Sequence, residues 1–530
     1  MSSISVPTEG SAGGIRRLLT DYFSQTREVD SSNVVLVDGI LANYGVNYAY
    51  RTALVARAVN ERTQGVSIVL TSHRPFLRPS SRDIYEALGH LRFLSPLIRW
   101  PLSHMFFGLI GLAKAIRTWW DMESVCSLPS LREESILIGD LVYDDLLKRH
   151  QVPSVTGRDW RVLLALWITF FNYFSYQRIL KTLRPRFVVL THIQYSRFGL
   201  LARLARQHGS IIIETTDIAT WKHHPADSSE TLSYHTTLRQ LIESEFQHGD
   251  TSRQPSSQIA MNEILERRFS KSARQLDVLL AVRGRSISRA QFDSELEGDA
   301  PNGKIGVVLA HIFGDTPHSS NFMIFQDYYQ WLLETLRHLN SSSQNSVNWY
   351  VKPHPSLDVY REGETFRELF LELSNPRVQV WPKDLNSESV MNVADVVVTV
   401  HGTGGLEAAC RGIPVVLAGR PFYSGWGFTH DPQNRDHYFE LLSQASELSG
   451  LTNAQTELAR KVLGNWHSRF FWTDEIIDSD VLSEVWGANG SRNPERAIKI
   501  VVERLRLTKP QDSNIWRSVQ DLLDGELAHR

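Results

Sequence analysis

Residues 397–416 read VVTVHGTGGLEAACRGIPVV. A β-branched run leads into a glycine-rich turn, a short helical stretch and a second apolar run, which predicts strand, turn, helix and strand. The turn would offer backbone N–H groups and a positive helix end to a phosphate. Glu407 lies one helical turn after Thr403, so both can face one ligand. The candidate ligand-binding residues of this segment are His401, Gly402, Thr403, Gly404, Gly405 and Glu407.

A second motif lies upstream, where residues 351–355 read VKPHP at the end of a predicted strand. The two prolines restrict the backbone on either side of His354. A histidine held in this way, with Lys352 two residues before it, can donate to phosphate oxygens or protonate a leaving phosphate. We therefore predict that His354 is catalytic and that Lys352 binds the same ligand.

Composition sets the broad class of the protein. A chain of 530 residues predicts two or more domains, each with its own core. The net charge of -2 gives no overall attraction to nucleic acid, so no nucleic-acid partner is expected. Cys126 and Cys410 are the only cysteines, which excludes a disulfide framework and favours a reducing cytoplasm.

The order of predicted elements indicates two α/β halves. Residues 1–30 are expected to be a flexible N-terminus, and 31–297 an α/β domain with a mainly helical insertion at about 84–131. A linker at 298–303 leads to a second α/β domain, 304–480, and a helical tail, 481–530. The predicted fold class is α/β and GT-B-like, with two Rossmann-like domains facing a cleft and the tail crossing back.

Two apolar segments bear on membrane contact. No signal peptide is expected at the N-terminus, and no run reaches the roughly 18–20 apolar residues of a spanning helix. The favoured interpretation of Met105–Ala113 and Trp160–Phe174 is a pair of core helices. The alternative is a peripheral contact with the inner face of the inner membrane, because flanking Trp, Arg and Lys residues are typical of membrane interfaces.

Segments 352–355, 401–408 and 419–429 together resemble bacterial capsule polysaccharide biosynthesis proteins, a family that includes Kdo transferases using CMP-Kdo. The resemblance implies a GT-B enzyme in which the histidine of the HP motif and the glycine-rich turn hold the nucleotide phosphate. It also implies a nucleotide-sugar donor and a glycan or lipid-linked acceptor. His311, after the first strand of the second half, is a further candidate for donor binding. Tyr423 could stack on a base or sugar, or be buried beneath the tail.

The carboxylate that relatives use is not placed by the resemblance. Relatives that transfer acidic sugars often carry an acidic-Asp-Gly motif in the N-terminal domain, whereas residues 37–39 here read VDG and lack the second acid. The candidates are Asp140 and Asp144, which follow a predicted strand at Ser135–Ile138. The alternative role is N-capping of a helix at Tyr143–Arg149. His311, Asp315 and His318 fit no common zinc spacing, so neither a metal nor another cofactor is expected.

The predicted function is a glycosyltransferase of surface polysaccharide biosynthesis, for capsule or lipopolysaccharide. Three alternatives share parts of this pattern: a CDP-alcohol polyol-phosphate transferase, a sugar-nucleotide epimerase, and a non-catalytic GT-B scaffold in a polysaccharide assembly complex. The polyol-phosphate transferase would use the same HP motif and glycine-rich turn, and the epimerase shares the two-domain architecture. The scaffold stays open because the carboxylate is not placed.

Overall fold

The structure is a computed structural model, and it describes most of the chain. The described residues are 33–39, 45–71, 79–90, 92–216, 220–223, 232–248, 280–295, 303–341, 347–373, 378–470, 476–477, 481, 484–485 and 493–527. The predicted N-terminal segment 1–30 and most of the predicted linker lie outside the described residues.

The strands of the described part are β1 (Val34–Asp38), β2 (Val66–Leu70), β3 (Phe93–Leu94), β4 (Arg132–Glu133), β5 (Ile136–Leu137), β6 (Phe187–Leu190), β7 (Ile211–Thr215), β8 (Thr220–His223), β9 (Lys304–Leu309), β10 (Val347–Lys352), β11 (Val378–Val380), β12 (Val396–Thr399) and β13 (Val415–Leu417). The helices are α1 (Val46–Thr63), α2 (Pro79–Ala87), α3 (Pro96–Arg99), α4 (Pro101–Asp121), α5 (Gly139–His150), α6 (Trp160–Leu183), α7 (Leu200–Gln207), α8 (Tyr234–His248), α9 (Arg289–Glu295), α10 (Tyr328–Ser341), α11 (Gly363–Glu372), α12 (Ser387–Val393), α13 (Thr403–Ala409), α14 (Arg435–Ser443), α15 (Asn453–Phe470), α16 (Pro494–Leu507) and α17 (Asn514–Leu527).

The first sheet has the order β3-β2-β1-β6-β7-β8. Its strands are parallel except for β8, which runs antiparallel to β7. Successive residues of β1 point into two different cores, because side chains alternate along a strand. Both faces are covered by helices, which explains why these strands are continuous β-branched runs.

The second sheet has the order β11-β10-β9-β12-β13, and all its strands are parallel. The chain builds outward from β9 to β10 and β11, then returns to the other side of β9 with β12. The strand order therefore reverses between β9 and β12. Open α/β sheets bind ligands beyond the carboxyl ends of their strands at such a reversal.

The C-terminal helices return to the first half of the molecule. Ile515 and Val519 of α17 and Val501 of α16 are buried in the same core as α1. The predicted α/β, GT-B-like fold class is confirmed, including a tail that crosses back. The layout of two domains facing a cleft and the domain boundaries remain predictions.

The strand predicted at Ser135–Ile138 is present as β5, which pairs with β4 in a small antiparallel sheet. The segment at about 84–131 contains the helices α3 and α4, and also the short strand β3, which pairs with β2. One predicted helix start in the first half is wrong. The helix predicted to begin at Tyr143 begins at Gly139, so neither Asp140 nor Asp144 is its N-cap.

The two apolar segments have different surroundings. Helix α6 is largely a core helix, as predicted, with Leu166 and Phe170 buried. Helix α4 is not, because only Gly111 and Ala115 of its 21 residues are buried. No helix in the described part of the chain is long and apolar enough to cross a membrane.

Candidate functional site

A pocket opens at the point where the strand order of the second sheet reverses. It collects residues that follow β9, β10 and β12, because the carboxyl ends of these adjacent strands meet at one edge. Its empty volume, which includes the open mouth, is about 810 Å³. The predicted residues that line it are His311, Lys352, His354, Gly402, Thr403, Gly404 and Glu407.

The VKPHP segment brings a cation and an imidazole to this pocket. The Nζ atom of Lys352 donates to the Leu385 carbonyl oxygen at 3.3 Å. Burial lowers the pKa of Lys352 to about 8. The backbone N–H of Ser356 donates to Nδ1 of His354 at 3.2 Å. A neutral His354 ring therefore carries its proton on Nε2, as a donor to a phosphate oxygen requires.

The side chain of Tyr423 supports the glycine-rich turn. The Tyr423 hydroxyl donates to the Gly402 carbonyl oxygen at 2.5 Å, and its ring is fully buried. A Cβ atom at Gly405 would lie 2.5 Å from that hydroxyl, so the close approach requires glycine. Tyr423 thus supports the turn. It is buried, which is the alternative that the sequence left open.

His311 and His401 position the backbone around the turn. The backbone N–H groups of Val400 and His401 donate to Nε2 of His311 at 3.4 and 3.3 Å. Burial, and secondly the charge of His354, lowers the pKa of His311 to about 3, which keeps it a neutral acceptor. Burial also lowers the pKa of His401, whose ring lies within hydrogen-bond distance of Ser320 and Tyr328, at 2.7 and 2.9 Å. The His401 ring is therefore held beside the pocket rather than in its lining.

Asp140 forms a buried ion pair within the first half. Its two carboxylate oxygens accept from the guanidinium of Arg203 at 2.7 and 2.6 Å. The same guanidinium donates to the Leu137 carbonyl oxygen at 2.6 Å. The pair joins α5 to α7, and this geometry gives Asp140 a structural contact.

Asp144 instead reaches across to the second half. Its Oδ1 lies 2.6 Å from Nδ1 of His318, and the Asp144 side chain is buried. Burial, partly offset by His318, raises the pKa of Asp144 to about 6. Burial alone would lower the pKa of His318, but the Asp144 carboxylate reverses this effect and the pKa is raised. The pair is an acid-base couple between the two halves.

Several residues of the site were missed from the sequence. Thr399, Ser387 and Met391 line the pocket, and Ser320 and Tyr328 hold the His401 ring. The position of Thr399 at the end of β12 could have indicated it. The others come from distant segments with no motif of their own. Within the described residues, no group of three or more His, Cys, Asp or Glu side chains could hold a metal ion.

Comparison with known proteins finds one family for the second half of the chain. The family model described as capsule polysaccharide biosynthesis protein matches residues 208–460, just under half of the chain. The matched stretch contains the whole second sheet and every residue that lines the pocket. A search of curated proteins finds no match.

Among solved structures, the chain is similar to the KpsC beta Kdo 2,4 transferase of Thermosulfurimonas dismutans, with 16% identity over 52% of this chain and 79% of that chain and a TM-score of 0.31. The KpsC beta Kdo 2,7 transferase of the same organism has 17% identity over 62% of this chain and 89% of that chain, with a TM-score of 0.32. The UDP-GlcNAc 2-epimerase of Neisseria meningitidis has 11% identity over 90% of this chain and 100% of that chain, with a TM-score of 0.23. Likenesses at this level do not identify a reaction or a substrate. Over residues 208–460 the chain resembles the capsule polysaccharide biosynthesis proteins, the family indicated by segments 352–355, 401–408 and 419–429.

Proposed function

We propose that this protein is a glycosyltransferase of surface polysaccharide biosynthesis, for capsule or lipopolysaccharide. It transfers a sugar from a nucleotide-activated donor, CMP-linked and Kdo-like, to a glycan or lipid-linked acceptor. One observation carries the proposal: Lys352, His354 and the glycine-rich turn line one pocket at the reversal of the second sheet. That pocket lies within the stretch that resembles the capsule polysaccharide biosynthesis proteins.

In the proposed reaction, the pocket binds the donor phosphate and stabilises the charge that forms as the sugar leaves. Lys352 and Nε2–H of His354 supply the positive charge and the hydrogen bond, and Glu407 accepts from ribose hydroxyls. Hydrogen-bond donors that are already oriented stabilise the transition state more than water does, because they need not reorient during the reaction. The acceptor hydroxyl attacks the anomeric carbon, the carbon–oxygen bond to phosphate breaks, and a base takes the hydroxyl proton.

We assign the carboxylate role to Asp144 in preference to Asp140. Asp144 faces His318 of the second half, and its pKa of about 6 lies near the operating range of a general base. Asp140 is held by Arg203. The proposed reaction needs no metal, in keeping with a pocket whose charge comes from Lys352. The proposed place of action is the cytoplasm, at the inner face of the inner membrane.

Nucleotide binding gives the direct test of this proposal. CMP, CDP, UDP and GDP would each be added at one concentration, and the thermal unfolding midpoint measured. We expect CMP to raise it most, because a ligand at 100 times its Kd stabilises the folded state by about 2.7 kcal/mol. Cytidine, which lacks the phosphate, is the matched control and should give a much smaller shift. No shift with any of the four nucleotides would contradict the proposed function.

A donor assay then separates the reaction types. Transfer from CMP-Kdo supports the proposal, whereas transfer from CDP-glycerol would show a polyol-phosphate transferase. Conversion of a sugar nucleotide without acceptor would show an epimerase. Nucleotide binding without turnover of any donor would support the scaffold.

The pKa of Lys352 predicts how nucleotide affinity depends on pH. A pKa of about 8 means that Lys352 is mostly charged at pH 7 and mostly neutral at pH 9. If only the charged form binds the phosphate, the Kd should rise about tenfold between these pH values. The phosphate itself changes little there, since its second pKa is near 6. Calorimetric titration with CMP at constant ionic strength would measure the effect.

The matched control for this prediction is Lys352→Arg. The guanidinium stays charged throughout this pH range, so the Kd of the variant should be nearly constant from pH 7 to pH 9. A rise in Kd equal to that of the wild type would show that another group causes the pH dependence.

A further inference from the structure

Helix α4 carries an apolar stripe on its exposed side. Six large apolar side chains are between 47% and 81% exposed: Leu102, Met105, Phe106, Leu109, Ile116 and Trp120. Successive members are three, one, three, seven and four residues apart, which places them on one side of the helix. We call these six residues the α4 face. Its length is about 27 Å, from a rise of 1.5 Å per residue.

The opposite side of α4 packs on α6. A Cβ atom at Gly111 would lie 3.0 Å from the Phe171 backbone nitrogen, so the two helices are in close contact there. The rings of His104 and Phe107 also contact rings of α6, with centroid distances of 4.5 and 6.2 Å. The side of α4 away from α6 therefore carries exposed large apolar side chains, where a surface helix usually carries polar ones. The orientation of the α4 face is fixed by this packing.

Tryptophan and arginine residues lie at both ends of the α4 face. At one end, Arg178 lies over the Trp100 ring at 5.3 Å. At the other end are Trp120 and Arg117, whose side chain is 85% exposed. Trp160 and Arg161 of α6 lie at this end too, with the guanidinium 6.0 Å from the ring centroid. Asp121 and Asp159 accompany these arginines, at 3.6 and 3.7 Å.

We propose that the α4 face docks on the surface of a membrane that contains anionic lipids. The helix would lie in the plane of the interface, with its apolar side chains among the acyl chains and its arginines near the headgroups. Anionic headgroups complement Arg178 and can compete with Asp121 and Asp159 for Arg117 and Arg161, because exposed ion pairs are weak. Tryptophan is enriched at this depth. A second copy of the chain fits less well, because two-fold pairing would bring equal charges together.

This inference deepens the proposed place of action, on which it rests, by naming the docking surface and the lipid charge it requires. It places the first half of the molecule against the membrane, where a lipid-linked acceptor would be located. Its test uses neither donor nor acceptor. Loss of membrane docking therefore leaves the nucleotide-binding test of the proposed function unaffected, and the two can fail separately.

The experiment is flotation of the full chain with lipid vesicles. The wild type is expected to bind vesicles of phosphatidylcholine with about 30 mol% anionic phosphatidylglycerol more tightly than vesicles of phosphatidylcholine alone. Raising the salt to about 0.5 M should weaken the binding by screening. The double variant Met105→Glu/Leu109→Glu should lose at least about tenfold in vesicle partitioning.

A matched control separates the face from the added charge. Leu371 and Leu507 are also highly exposed, and they lie on α11 and α16 rather than on α4. The variant Leu371→Glu/Leu507→Glu adds the same charge and should bind vesicles nearly as the wild type does. Equal loss in both double variants would overturn the inference. Absence of wild-type vesicle binding would also overturn the inference. If Met105→Glu/Leu109→Glu then converted a dimer to a monomer in light scattering, the α4 face would be a contact between two copies of the chain.

Discussion

The His354→Ala variant is expected to turn over its donor about 100-fold or more slowly than the wild type. The variant removes the Nε2–H donor that we assign to the donor phosphate. Loss of one fixed donor to developing charge typically costs about 2.7–4 kcal/mol of transition-state stabilisation. Steady-state turnover of CMP-Kdo, with the thermal unfolding midpoint measured in parallel, would check the prediction.

The fold should survive this change, because His354 lies at the pocket and its contact to Ser356 is local. His338→Ala is the matched control: His338 lies on α10, outside the pocket, and its ring is 3.0 Å from the hydroxyl of Ser443 on α14. That variant should keep wild-type turnover. His354→Gln adds a further distinction, since its amide can donate a hydrogen bond but cannot protonate a leaving group. Near-wild-type turnover in His354→Ala would remove His354 from the mechanism.

The pocket could be predicted because its parts are local in sequence. The strand, the glycine-rich turn and the helix at 396–409 are contiguous, and VKPHP follows a single strand. Parallel strands bring such turns to one edge of the sheet, so the meeting of His354 with Gly402 and Glu407 follows from topology. Glu407 lines the pocket beside Thr403, as helical spacing requires.

The rest depended on contacts between distant segments. Nothing in the sequence around Asp140 indicates Arg203, which is 63 positions away and meets it only when α5 packs on α7. The exposure of the α4 face was missed for a different reason. Apolar periodicity shows that one side of a helix is apolar but does not show whether that side faces a core or the surface.

The Asp140→Ala variant is expected to lose about 3–5 kcal/mol of the free energy of unfolding. Asp140 and Arg203 have side chains only 7% and 8% exposed, and they share two hydrogen bonds. Removing the carboxylate leaves a buried guanidinium without its charge partner, which costs more than the net value of the pair. Urea unfolding would measure the loss, from the shift of the transition at unchanged slope.

Two further variants show whether the effect is structural. The double variant Asp140→Leu/Arg203→Met removes both charges of this buried pair, so much of the lost stability should return. Glu364→Ala breaks an exposed ion pair with Arg367 and should cost at most about 1 kcal/mol. Asp144→Asn keeps a hydrogen-bonding group beside His318 and should lose turnover with far less loss of stability. If Asp140→Ala kept wild-type stability but lost turnover, Asp140 would have a role in the reaction and the structural assignment of its pair with Arg203 would be wrong.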